Sequence, residues 1–382
     1  MQHIVIVTTS YPDGVPGSEA AGSFVEDFAS EMSKHCAVTV VAPGIQAVSK
    51  AHGNPRIVRF PVPKLPLSNL DILKPGDAYA IYETLRTGGK SLSAVLDNGN
   101  VDHIFALWVF PSGFWARSAG RKYHVPYSTW ALGSDIWSLG RIPLVHHLLR
   151  KTLRDASLNY ADGFGLCEAV RRLGSTDCSF LPSTRAFPAD ADHLPAEKPP
   201  YRLAFLGRWH TNKGADLLLR SLALLSDQDW ARIAGVEIHG GGPLEDAVRT
   251  HVQTLRSAGR PIAVGGYLDK RAASRLIGTV DYLLLPSRIE SIPVIFSDAM
   301  KSGTPVIATP AGDLPSLLAR YRAGVLATSA TSESYAASIR EALETPASSF
   351  LPGIREARTA FNLGAIVERL LVDIRKGTAS ND

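Results

Sequence analysis

DYLLLPSRIESIPVIFSDAMKSGTPVIATP, residues 281–310, changes character twice along its length. The apolar run 282–285 stops at Pro286-Ser287, and a short turn then carries Arg288 and Glu290. Pro293 opens a helical segment, and Gly303 closes it before a second apolar run, 305–308. This is the pattern of strand, helix, strand. Proline suits the helix start because the amide it lacks would have been unpaired there, and glycine suits the far end because it accepts the left-handed conformation. Two strands joined through a helix run parallel. Open parallel sheets bind ligands beyond the carboxyl ends of their strands, where helix amino termini present free amides and about half a unit of positive charge. Glu290 and the amides of Ser291 and Ile292 are expected there. Asp298, eight residues after Glu290, is turned from it by only about a quarter of a helical turn, so both carboxylates are expected to face one cleft.

The same alternation runs through the rest of the chain. At 382 residues it is longer than a single core usually supports, and two domains are expected. In the first half, strands are expected at 4–8, 37–42, 56–62, 103–108, 127–132 and 163–166. A loop rich in Gly, Pro and Ser occupies 10–22, and helices are expected at 24–34, 78–96 and 144–155. Residues 188–200, crowded with Pro, Asp and Ala, read as a linker. After it the alternation restarts, with strands at 202–207, 236–240, 262–266, 281–285, 305–308 and 324–327. The fold class is therefore α/β with two Rossmann-like domains. The expected division is 1–190, a linker at 191–200, 201–364, and a terminal helix with tail at 365–382.

The first strand of the second half ends in Phe205-Leu206-Gly207-Arg208, and Asn212-Lys213-Gly214 opens the next helix. Arg208 offers a planar fork and Lys213 a point charge, both suited to phosphate and both expected at the sheet edge that carries Glu290. A pair of surface cations near a turn is the alternative. His210 between them reads as a solvated loop residue. Gly240-Gly241-Gly242-Pro243 is a tight strand-to-helix turn whose glycines also permit close backbone approach to a ligand.

Three stretches together, PSRIESIPVIFSDAMKSGTPVIAT, GRWHTNKGADLLLRSL and the Gly240–Pro243 turn, resemble the signatures of the retaining, nucleotide-sugar-dependent glycosyltransferases of family four. The resemblance implies the GT-B architecture, two Rossmann-like domains with an interdomain cleft, in which the last helix crosses back to the first domain. It implies that Arg208 and Lys213 hold the donor diphosphate, that Glu290 with Ser291 and Ile292 serves the sugar, and that Asp298 serves the ribose. The family usually has Glu at that last place, so Asp298 keeps the charge but loses one methylene of reach. Tyr267, in Gly266-Tyr267-Leu268, sits where relatives contact the nucleobase, with half-buried packing as the alternative. The loop with Gly17 and Gly22 resembles the glycine-rich loop that approaches the donor diphosphate, with a plain turn as the alternative.

On the acceptor side the chain departs from the pattern. Many relatives carry histidines where this chain has Leu107 and Leu132, and leucine can neither hydrogen-bond a sugar hydroxyl nor stabilise positive charge. Asp135, in Gly133-Ser134-Asp135, is the remaining acceptor-side candidate, with a helix N-cap as the equal alternative. The implied activity is retaining transfer of a hexose-type sugar from a nucleotide diphosphate sugar to a saccharide or lipid-linked acceptor in polysaccharide or glycoconjugate biosynthesis. A non-catalytic nucleotide-sugar-binding protein, an epimerase and a phosphorylase stay open as alternatives.

Composition narrows the partners. Apolar residues make up 45% and charged residues 20%, as in a soluble globular protein, and the formal charge of +4 is too weak to argue for nucleic acid. No apolar run approaches the roughly 20 residues that span a bilayer, and three cysteines without metal spacing favour a reducing, cytoplasmic compartment. No cofactor and no metal are expected; the Asp-x-Asp string Asp190 to Asp192 lies in the linker. RIPLVHHLLRKTLR, residues 141–154, places Leu144, Leu148 and Leu149 on one helical side and Arg150, Lys151 and Arg154 largely elsewhere. Peripheral docking on anionic lipid at the inner membrane face is one expectation; a core helix with a solvated basic face is the commoner explanation.

Overall fold

Buried parallel strands set the architecture of both halves of the chain. The computed structural model describes residues 2–12, 19–45, 49–50, 53–64, 67, 74–187 and 194–379. Gly17 and the Asp190 to Asp192 string lie outside them. The chain divides into two units, Met1–Ala186 with Leu363–Asp382, and Phe187–Asn362.

In the first unit the strands are β1 (His3–Val7), β2 (Ala37–Gly44), β3 (Ser49–Lys50), β4 (Arg56–Pro61), β5 (His103–Leu107), β6 (Tyr127–Ala131), β7 (Leu158–Ala161) and β8 (Ser179–Phe180). They form one sheet in the order β3-β4-β2-β1-β5-β6-β7-β8. Among the described residues, only β3 runs antiparallel to its neighbour. The helices of this unit are α1 (Glu19–Met32), α2 (Pro75–Asp97), α3 (Phe114–Tyr123), α4 (Ser134–Trp137), α5 (Pro143–Asp155) and α6 (Phe164–Gly174). Because strand side chains alternate, β1 serves two cores: Ile4 and Ile6 pack with Val25 and Phe28 of α1, while Val5 and Val7 pack with Leu92 of α2 and Trp115 of α3.

The second unit has β9 (Tyr201–Arg208), β10 (Ile233–Gly241), β11 (Ile262–Gly265), β12 (Tyr282–Leu285), β13 (Val306–Ala308) and β14 (Gly324–Leu326), all parallel, in the order β11-β10-β9-β12-β13-β14. Its helices are α7 (Ala215–Ala223), α8 (Asp227–Trp230), α9 (Glu245–Ser257), α10 (Lys270–Ile277), α11 (Val294–Ser302), α12 (Leu314–Tyr321), α13 (Ser332–Glu344) and α14 (Leu351–Ala360). The final helix, α15 (Leu363–Ala379), belongs to the first unit, where Ile366, Val367, Leu370, Leu371 and Ile374 join the cluster around Phe28 and Met32. Their three- and four-residue spacing is one apolar stripe of a helix.

Two sequence expectations are corrected here. The strand expected at 163–166 is instead the amino end of α6, and the strand lies earlier, at Leu158–Ala161. Asn159 disguised it. Its amide is satisfied inside the fold by donating to the Leu153 carbonyl at 2.9 Å and accepting from Thr129 Oγ1 at 2.6 Å. The loop expected to run to residue 22 ends sooner, because α1 starts at Glu19. Gly22 is therefore a buried helical residue, and a methyl group on it would lie 2.8 Å from Tyr11 Cα. Its role here is to let α1 press against the Tyr11-Pro12 backbone.

Candidate active site at the edge of the second sheet

β9 ends at Arg208 and β12 at Leu285, and the turns that follow both strands leave the same carboxyl edge. After β9 the chain makes a single 3₁₀ turn, Thr211–Lys213, capped by His210, whose ring nitrogen accepts the Asn212 amide at 3.1 Å. Gly214 ends that turn with φ 72° and starts α7. A side chain at Gly214 would overlap the Pro286 carbonyl oxygen, so the turn after β9 and the turn after β12 touch through bare backbone.

Across this contact, Lys213 Nζ pairs with Glu290 Oε1. Glu290 Oε1 also accepts the Ser287 hydroxyl at 3.2 Å. The Glu290 side chain is 12% exposed and that of Lys213 39%, so the acid is held in the wall while the cation reaches outward. Arg208 is exposed, and its guanidinium has no partner among the described residues. The edge thus offers two cations, one of them already balanced by an acid.

Glu290 is fixed from its other side as well. The Thr309 hydroxyl donates to the Ser287 carbonyl, and the Asp313 amide donates to the Ser291 carbonyl at 3.0 Å. Gly312, with φ 54°, has no room for a side chain against the Glu290 and Ser291 carbonyls. Ser291 and Ile292 are buried, and Ser291 Oγ is a buried hydroxyl with no partner among the described residues. A buried hydroxyl left this way costs about 1–3 kcal/mol unless a ligand or water satisfies it.

Pro293 caps α11 with φ −63°, and Gly303 closes the helix with φ 81°. Asp298 lies on α11, fully buried. Phe296 of the same helix packs on Phe361 with ring centroids 5.6 Å apart. On the other side of β9, Tyr267 is half exposed; its hydroxyl donates to the Gly241 carbonyl at 2.7 Å, and its ring leaves no room for a side chain on Gly241. The glycine turn 240–242 packs directly on Gly207 and Trp209.

Arg288 enters the sequence-based expectations only as part of the turn that carries Glu290, and Asp216 has no part in them. The Arg288 guanidinium spans both carboxylate oxygens of Asp216 at 2.8 and 2.9 Å and donates to the Thr211 carbonyl at 2.7 Å. The only signal was position: Arg288 is two residues before Glu290, and Asp216 is three after Lys213.

In the first unit, Asp135 is fully buried and accepts the amides of Val109 at 2.7 Å, Ile136 at 3.1 Å and Leu132 at 3.3 Å. Burial pushes its carboxyl up to about 6, with those amides holding it from rising further. The N-cap position of α4 belongs to Gly133. Asp135 ties the chain leaving β5 to the chain leaving β6. Next to it, Trp108 adopts φ 67°, a strained value for a bulky residue at a strand end. Leu107 is fully buried in the core, and Leu132 packs half-buried against the same cluster.

A family model described as Glycosyl transferases group 1 matches residues 200–345. A D-inositol 3-phosphate glycosyltransferase of Corynebacterium aurimucosum is 30% identical over 148 residues, which are 37% of this chain and 34% of that protein. The chain thus matches about a third of the length of this curated relative. Among solved structures, sucrose-phosphate synthase from Thermosynechococcus elongatus superposes with a TM-score of 0.77 at 17% identity, covering 100% of both chains. Anabaena HepE in complex with UDP-glucose gives 0.68 at 16%, again covering 100% of both. At such identities these two likenesses are likenesses of fold.

Proposed function

With residues 200–345 belonging to the group 1 glycosyltransferases, in a chain whose two Rossmann-like units have the GT-B fold, we propose that the protein moves a hexose-type sugar from a nucleotide diphosphate sugar to a saccharide or lipid-linked acceptor. The observation that carries this reading is the Lys213–Glu290 pair beside the unpartnered Arg208 at one carboxyl sheet edge. Arg208 and Lys213 suit a diphosphate. Glu290 and the Ser291 hydroxyl suit sugar hydroxyls, and Tyr267 a base. Asp298, on α11, is the acid proposed for the ribose. In the first unit, Gly22 serves by bringing the Tyr11-Pro12 backbone close, and Asp135 serves the acceptor side through the loops it ties together.

The transfer we propose retains configuration. The bond from the anomeric carbon to the phosphate oxygen breaks while a bond to the acceptor oxygen forms on the same face, and the acceptor proton passes to the departing phosphate oxygen. Charge then grows on the leaving diphosphate. Arg208, Lys213 and the helix amides answer it, an effect expressed mainly in the transition state. No metal is needed in this scheme, and full activity in chelator supports it; loss of activity in chelator contradicts it. Hydrolysis by two carboxylates flanking a water is less well supported, because Glu290 pairs with a cation instead of a second acid.

The test is a panel of nucleotide sugars with saccharide, lipid-linked and inositol phosphate acceptors, followed by the configuration of the product. A new glycosidic bond with donor configuration supports the proposal. Conversion of donor alone marks an epimerase, a requirement for inorganic phosphate marks a phosphorylase, and binding without turnover marks a binding protein. The buried Leu107 favours that last reading over the other two, because it supplies no polar group.

A cytoplasmic setting with peripheral membrane contact belongs to the same proposal. On α5, Leu149 is in the core and Leu148 is half-buried, while Leu144 is 71% exposed; Arg150 and Arg154 of the same helix are exposed, as is Arg141 just before it. No helix among the described residues is long and apolar enough to cross a membrane. Sedimentation with anionic vesicles at low salt supports docking, and absence of binding there removes it.

A further inference from the structure

We infer that Arg288, acting with Asp216, is a positioning residue that sets Lys213 against Glu290, an inference that rests on the donor-site reading above. Lys213 and Glu290 come from turns 77 residues apart in the chain. The turn that carries Lys213 is a lone 3₁₀ turn, an element with poor hydrogen-bond geometry and little stiffness of its own. Arg288 grips it at three points. Its amide donates to the Asn212 carbonyl at 2.7 Å, its guanidinium to the Thr211 carbonyl at 2.7 Å, and its fork closes on Asp216 in the first turn of α7. Arg288 therefore binds the residues on both sides of Lys213 from a position two residues before Glu290.

Asp216 is built to hold that grip. Arg220, one helical turn along α7, pairs with it as well. Burial pushes the Asp216 carboxyl up, but the hydrogen bonds and charge of Arg288, with the charge of Arg220, outweigh burial and leave it below the ordinary carboxylate range. The pair stays ionised at neutral pH. Both side chains are mostly shielded, 26% and 22% exposed, and the two parallel bonds match a planar fork that lysine cannot reproduce.

The experiment measures UDP, GDP and ADP binding by calorimetry and follows the tightest of the three through Arg288→Met, Arg288→Lys and Asp216→Asn. Each variant is made in the native chain and again in Lys213→Ala, with thermal melting recorded alongside. A residue acting through Lys213 loses its effect once Lys213 is gone. The expected result is about tenfold weaker binding for Arg288→Met in the native chain and less than about twofold in Lys213→Ala, with Arg288→Lys between native and Met. Equal factors in both backgrounds overturn the positioning role. If Arg288→Met does not fold, the same comparison is read from Arg288→Lys and Asp216→Asn. If Lys213→Ala alone leaves binding unchanged, the donor-site reading itself has failed, which is a different outcome from equal factors.

Discussion

Lys213 Nζ and the Glu290 carboxylate meet at the carboxyl edge of the second sheet, each brought there by a turn that follows a different buried strand. The pair holds an acid and a cation together at that edge. In the proposed reaction a diphosphate takes the cation and sugar hydroxyls take the acid. Lys213→Ala is expected to lower transfer about a hundredfold, the usual cost of losing one group that stabilises a leaving-group charge. Stability is expected to change by less than about 1 kcal/mol, because the Lys213 side chain is 39% exposed and such pairs are screened. Steady-state kinetics and urea unfolding of the same preparation check both halves; near-native turnover contradicts the role.

Gly214→Ala and Gly312→Ala probe the two backbone contacts that frame Glu290. Each glycine has positive φ and abuts a carbonyl oxygen, Pro286 for the first and Glu290 and Ser291 for the second. Strain at such positions is of order 1–3 kcal/mol before any clash is relieved. Both variants are expected to lose more than about 2 kcal/mol in urea unfolding, and both to lose nucleotide affinity. Unchanged affinity in both shows that the turns are not what positions the site.

Much of this edge is legible in the sequence because its punctuation is chemical. Pro293 and Gly303 mark the ends of α11 as their backbone limits require, and the run 282–285 is a strand buried on both faces. Other features are not local. Asn159 looks like a strand breaker until Thr129 and the Leu153 carbonyl satisfy it. Gly22 looks like a loop glycine until Tyr11, eleven residues earlier, is found against it. The clamp of Arg288 on Asp216 links residues 72 apart, and no spacing rule within either turn announces it. Asp135, weighed as an acceptor contact or an N-cap, has its amide partners on two different strand ends.

Asp135→Ala removes the acceptor shared by the amides of Val109, Leu132 and Ile136. A buried amide left unpaired costs about 1–3 kcal/mol, so a loss of at least about 2 kcal/mol is expected in urea unfolding. A loss under about 0.5 kcal/mol contradicts the bracing role.

His103 gives the first unit a pH signature. Its ring is fully buried on β5 with Nε2 2.8 Å from Ser128 Oγ, and burial pushes it down from 6.5 to about 4. Between those values the unfolded chain holds a proton that the native one does not, so stability falls as pH drops through the window. The full drop is about 3 kcal/mol. Asp135, pushed up to about 6, works in the opposite direction, so the comparison is made with a variant. Unfolding free energies between pH 7 and pH 4 are expected to fall less steeply in His103→Gln than in the native chain, and equal slopes contradict the assignment.

The most direct measurement is calorimetric titration of nucleoside diphosphates and their sugars into the native chain and into Lys213→Ala. One site per chain in the native protein, weakened about tenfold or more by the substitution, is the predicted result. No binding to the native chain, or equal affinity in the two, contradicts the proposal that Arg208, Lys213 and Glu290 hold a sugar diphosphate.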